Sequence, residues 1–134
     1  MATINRFEDL EIWELSRILS KEIFELTKTT KLSRDFELKD QMHRSSGSIM
    51  DNIAEGFGRG SRLEFIQFLS IASGSADELK SQLYRSLDRD YLDKEQFDIF
   101  YEKANAVYKK INGFIKYLNT SVIKGTKFKD RLPK

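Results

Sequence analysis

Residues Gln41 to Leu83, QMHRSSGSIMDNIAEGFGRGSRLEFIQFLSIASGSADELKSQL, decide the fold of this chain. The pattern predicts one helix ending near Glu55, a corner, and a long second helix opening at Ser61. The corner, Gly56-Phe57-Gly58-Arg59-Gly60, places three glycines in five positions, and glycine reaches backbone conformations closed to other residues. Ser61 and Glu64 have the spacing of a capping box, in which a hydroxyl and a carboxylate satisfy free amides at a helix start. Both helices are small at their middles, Ser45-Ser46-Gly47-Ser48 in one and Ser73-Gly74-Ser75-Ala76 in the other. Glycine weakens an isolated helix by up to about 1 kcal/mol relative to alanine. What small residues permit is close approach, so the two helices are expected to lie antiparallel in a tight crossing.

The flanking sequence extends this to four helices. Leu15, Leu19, Ile23 and Leu26, with Ile12 before them, recur at helical spacing in a first helix from Phe7 to about Thr30. Glu8, Asp9, Glu11 and Glu14 crowd its opening turns, where the helix dipole favours negative charge. Trp13, Ile18 and Phe24 lie off the stripe and widen the apolar surface. That implies either deep burial in one bundle or a second contact, with another subunit or partner protein. The second helix spans about 37–55 with Leu38, Met42, Ile49 and Ile53 inward, and the third about 61–88. In the third, Phe65, Leu69, Ala72, Ala76, Leu79, Leu83 and Leu87 form a seam of the coiled-coil kind. Asp93, with Gln96 in the reciprocal position, opens a fourth helix over about 93–120, striped by Phe97, Phe100, Ala104, Val107, Ile111, Phe114 and Leu118. The expectation is an all-α, up-down-up-down antiparallel four-helix bundle over 1–123, followed by a basic, flexible C-terminal tail over 124–134.

Composition fits one soluble domain. The 134 residues are 40% apolar and 33% charged, with one proline, Pro133, seven glycines and no cysteine. No apolar run approaches the roughly 18–20 residues that span a bilayer. The opening MATINRFEDLEIW carries charge where a signal peptide needs an apolar segment, so a cytoplasmic location is expected, with no membrane association. The formal net charge is +2, but Lys124, Lys127, Lys129, Arg131 and Lys134 against Asp130 put +4 in the tail, leaving the body at −2. Whole-domain charge is therefore no argument for nucleic acid; only a local patch could be.

No catalytic constellation is present. A di-iron bundle needs two Glu-x-x-His motifs and two further carboxylates, and Asp40-x-x-His43, with the only histidine, is the sole approximation. Asp51 and Glu55 sit one turn apart, a commonplace spacing, and Glu55 is more simply paired with a nearby arginine. Ser45 and Ser46 near His43 lie mid-helix, with no oxyanion hole at hand. The glycine corner follows a helix rather than a strand and fits no phosphate-loop motif. Neither enzyme activity nor a cofactor nor a metal is expected.

The basic positions admit two readings. Arg59 and Arg62 flank the start of the third helix, whose free amides favour anions. They either neutralise carboxylates such as Glu55 and Glu64 or contact phosphate. Arg44 lies further down the second helix and either joins them or does not. In the tail, Lys124, Lys127, Lys129 and Arg131, with Phe128 among them, suit a nucleic-acid backbone with one stacking ring, or simple solubility.

Gln41–Ile49, Asp51–Arg59 and Glu64–Leu69 closely resemble the four-helix-bundle proteins encoded by intervening sequences of 23S ribosomal RNA genes, the S23-like family. Phe7-Glu8-Asp9-Leu10-Glu11-Ile12-Trp13 looks like that family's opening motif, and Gly74-Ser75-Ala76, Glu78-Leu79 and Gln82-Leu83 continue the match. Where many relatives have a second basic residue before Arg44, this chain has His43. The resemblance implies a ring-like homopentamer. It also brings a relative, the accessory protein of diversity-generating retroelements, a basic pentameric barrel that engages nucleic acid and a reverse transcriptase. Two functions follow as expectations: an oligomeric, non-enzymatic module binding RNA, DNA or a ribonucleoprotein, or a protein-interaction scaffold without nucleic acid.

Overall fold

The computed structural model describes residues 4–121. Four helices carry the fold: α1 (Glu11–Thr29), α2 (Phe36–Gly58), α3 (Arg62–Asp88) and α4 (Lys94–Ser121). Among the described residues there is no strand. Side-chain pairs fix the direction of each neighbour. From Gln41–Arg85 through Ser45–Gln82 to Ser48–Ser75, α3 numbers fall as α2 numbers rise. Lys80–Asn105 and Ser73–Asn112 run α4 antiparallel to α3, and Glu11–Lys110 and Glu22–Lys103 run α1 antiparallel to α4. This is the expected up-down-up-down bundle.

The apolar stripes meet at its centre. Ile12, Leu19, Ile23 and Leu26 of α1 join Leu38, Met42, Ile49 and Ile53 of α2, and all eight are buried. Phe65, Leu69, Ala72, Ala76, Leu79 and Leu83 of α3 are buried without remainder, as the seam spacing requires. Leu87, Phe100 and Phe114 lie half-buried at the margins.

Three details differ from the sequence reading. Phe7–Asp9 form a separate 3-10 turn, and the chain is extended at Leu10 before α1 begins. Leu10 is buried and its carbonyl accepts from the amides of Trp13 and Glu14, while Phe7 folds edge-on against Trp13 with centroids 5.0 Å apart. Burial of two apolar side chains at the entry therefore outweighs continuing the helix backwards. Second, α2 runs through Glu55 to Gly58, and only Gly60, at φ 77°, makes the left-handed turn into α3.

The third difference is the tight crossing. Ser45, Ser46, Ala72, Ser73, Ser75 and Ala76 are buried, and the Ser48 and Ser75 hydroxyls meet at 2.9 Å, so small side chains do bring α2 and α3 together. Gly47 and Gly74 take no part, because a Cβ on either would enter open space. The glycine that the approach requires is Gly56, where an added Cβ would stand 2.5 Å from Cβ of Phe68.

Caps close the ends. Ser61 Oγ accepts from the Glu64 amide at 3.3 Å, the hydroxyl half of the expected box, and Asp93 and Gln96 bond reciprocally at 2.8 and 3.1 Å, as expected from their spacing. Asp35 caps α2, accepting from the Leu38 amide at 3.1 Å.

Candidate interaction surfaces

The glycine corner sets Arg59 just past the end of α2, as its C-cap, and Arg62 at the first position of α3. Arg59 donates to Glu55 at 2.9 Å and lies 5.0 Å above the Phe68 ring. It thus takes the carboxylate-neutralising role. Among the described residues Arg62 makes no ion pair, and its Nε and Nη1 are shielded from solvent without a hydrogen-bond partner. Two arginines three positions apart in sequence thus have different surroundings: one is paired with a carboxylate of the preceding helix, and the other has two guanidinium nitrogens closed off from solvent.

Arg44 is exposed and does not join them. Fifteen residues separate it from Arg59 along α2, about 22 Å at 1.5 Å per residue. It lines an open polar groove of about 880 Å³ beside α3, with Asp51, Asn52, Ser48 and Glu78. Lys124, Lys127, Lys129 and Arg131 lie outside the described residues.

The three apolar positions of α1 are also separated. Trp13 is half-buried, with Phe7 against its edge and the Arg17 guanidinium 5.9 Å from its ring. Ile18 remains 44% exposed and lines a shallow crevice with Phe100 of α4. Phe24 is 50% exposed on the other flank, tilted against His43 of α2 with centroids 5.3 Å apart. The first helix consequently shows apolar surface to both sides.

His43 is tied to α1 by its side chain. Its Nε2 is 2.7 Å from Thr27 Oγ1, and Thr27 already donates to the Phe24 carbonyl, so Nε2–H is the donor to the threonine. Burial lowers its pKa below the ordinary 6.5; Asp40 opposes that shift and Lys39 adds to it. Among the described residues, no group of three or more His, Asp or Glu side chains is arranged to hold a metal ion, and no helix is long and apolar enough to cross a membrane.

Two arrangements were not legible in the sequence. Asp35 accepts from both Arg89 Nη1 and Tyr91 OH at 2.8 Å, tying the start of α2 to the α3–α4 turn. The Leu38 amide and the Tyr91 hydroxyl hold its carboxyl below the usual carboxylate range, and the same bond raises the Tyr91 phenol above its own. Lys80, 12% exposed, donates to Asn105 at 3.0 Å, pairs with Asp77 and sits 3.9 Å from the Tyr108 ring centroid. Both join residues remote in sequence, and no local spacing signals them.

An antiparallel four-helix bundle with polar grooves and apolar flanks places the chain in the class of small all-α proteins. Within that class, the chain belongs to the 23S rRNA-intervening sequence protein family, whose pattern it matches over residues 8–113. Its fold is similar to the crystal structure of a protein of unknown function from the S23 ribosomal protein family of Bacteroides thetaiotaomicron VPI-5482. That comparison has a TM-score of 0.71 and 25% identity, covering 78% of this chain and 98% of the other. No curated protein matches the sequence.

Proposed function

We propose that the chain is a non-enzymatic, cytoplasmic module that works by association, and that its first partner is itself, in a ring-like homo-oligomer. The carrying observation is the pair of apolar flanks on α1, Ile18 beside α4 and Phe24 beside α2. A closed ring joins each protomer to its neighbours through two different surfaces, which is what two distinct flanks supply. The family resemblance favours five copies, and the scaffold so formed offers its outer grooves to a further protein. Light scattering tests this directly. The unmodified chain is expected at a multiple of its 15.7 kDa mass, and Ile18→Asp or Phe24→Asp at the monomer mass with helicity retained. A monomer at about 100 μM, where interfaces of even modest affinity fill, overturns the proposal.

A second reading, RNA or DNA binding, is favoured by Arg44, whose exposed guanidinium has no carboxylate partner among the described residues. One such contact is weak alone, but repetition around a ring multiplies it through effective concentration. Gel shifts at low salt should show binding that Arg44→Glu weakens, and that Arg59→Glu with Arg62→Glu weakens further. No shift for the unmodified chain at low salt removes nucleic acid from consideration.

A further inference from the structure

We infer, on the basis of the self-association proposed above, that each copy of this chain plugs Phe24 into the crevice between Ile18 and Phe100 of the next copy, with Lys28 of the first beside Glu25 of the second. Knob and hole stand at the same height along α1. The crevice follows α1 from Ile18 to Thr29, so its midpoint lies level with Phe24 on the other flank. The Glu22–Lys103 pair places Phe100, three residues earlier in α4, level with Glu25, about 1.5 Å from Phe24 along the axis. Copies related by rotation about an axis parallel to α1 keep like residues at like heights. A knob and a hole at one height therefore close a ring, whereas a knob and a hole at different heights would climb into a filament.

Shape and charge agree with this pairing. The half-exposed Phe24 is braced from behind, because its ring rests on His43, which Thr27 holds in turn at 2.7 Å. The crevice, about 530 Å³, offers an incoming ring Phe100 on its α4 wall and Ile18 and Leu26 on its α1 wall. Phe36 is also exposed, but it lies seven residues along α2 from His43, about 10 Å beyond the height of Phe24, and Lys39 sits 4.7 Å from its ring. Lys28 stands one turn along from Phe24 on the same face of α1, and Glu25 lines the crevice. Neither has an ion pair among the described residues, whereas Glu22 is already engaged by Lys103. Lys28 and Glu25 differ in height by about 4.5 Å, within reach of a lysine side chain. Lys21, the cation lining the crevice, lies four residues below Glu25, on the side away from Lys28. Each contact takes residues from two copies, so neither flank is complete alone.

Such a contact has a polarity that mixing reveals. Ile18→Asp keeps the knob and loses the hole, and Phe24→Asp does the reverse. Each full-length variant alone is expected as a monomer by light scattering at about 100 μM, with helicity retained by circular dichroism. Mixed in equal amounts they should form a heterodimer of twice the 15.7 kDa chain mass and nothing larger, because one knob and one hole survive per pair. Lys28→Glu added to the Ile18→Asp chain should weaken that heterodimer about three- to tenfold, while the same change on the Phe24→Asp chain should leave it unaltered. Either variant forming a homodimer alone overturns the inference, since that flank would then pair with its own kind. A mixture that stays monomeric while the unmodified chain assembles also overturns it, as do equal effects of Lys28→Glu on the two chains. A monomeric unmodified chain instead removes the self-association on which the contact depends, which keeps the two failures apart.

Discussion

Asp35→Ala is the perturbation most directly fixed by the geometry. The carboxylate caps α2 through the Leu38 amide and accepts from Arg89 and Tyr91 across the bundle end, with 16% of its side chain accessible. Loss of an N-cap costs about 1 kcal/mol. The Arg89 pair adds no more than about 1 kcal/mol, because that guanidinium is 43% exposed and screened. The sum is about 1–2 kcal/mol, and for a domain of this size each kcal/mol lowers Tm by about 4 °C. Thermal unfolding followed by circular dichroism should thus show a drop of about 4–8 °C. Asp35→Asn keeps a competent cap and loses only the charge, so it should cost about half as much. The pH dependence carries a definite sign. A carboxyl held below its ordinary 3.8 contributes stability that is present above that value and lost as pH falls through the lowered one. The acid limb of the stability curve should therefore be shallower in Asp35→Asn than in the unmodified chain. A Tm change under 1 °C for Asp35→Ala, or equal losses for Ala and Asn, would refute this reasoning.

The glycines give a matched set. Gly56→Ala, pressed on the Phe68 Cβ, is expected to cost about 1–3 kcal/mol from overpacking, offset by the better helix propensity of alanine, while Gly47→Ala and Gly74→Ala, facing open space, should gain about 0.5–1 kcal/mol. Urea unfolding midpoints will show whether the three changes differ in sign. Gly60→Ala, at φ 77°, should lose about 1 kcal/mol or more in the same assay. His43, whose pKa burial depresses, contributes stability that is present above 6.5 and lost as pH falls below it, because the unfolded chain then binds the proton more readily. A proton NMR titration should place its midpoint below 6.5, and His43→Gln should flatten the stability profile between about pH 5 and 7. Tyr91→Phe should remove the alkaline counterpart, in which a phenol raised above 10 by its bond to Asp35 loses its contribution as pH climbs past that value.

Much of the architecture was carried by local pattern. A buried stripe repeats every three or four residues because a helix presents those positions to one side, so Phe65 through Leu83 declared their burial before any neighbour was known. Ser61, Asp93 and Gln96 declared the helix starts in the same way, since a cap satisfies amides only two or three residues away. Tertiary structure alone decided which small residues meet. Gly47 and Gly56 are the same residue nine positions apart on one helix, yet one faces solvent and the other Phe68, a matter of where α3 crosses rather than of composition. Likewise Arg59 and Arg62 are interchangeable as letters, but across the turn at Gly60 one reaches Glu55 while two guanidinium nitrogens of the other are closed off from solvent. Sequence fixes what a residue can do within a turn of its own helix; which distant group it faces depends on packing between helices, and a single chain read alone holds no record of that.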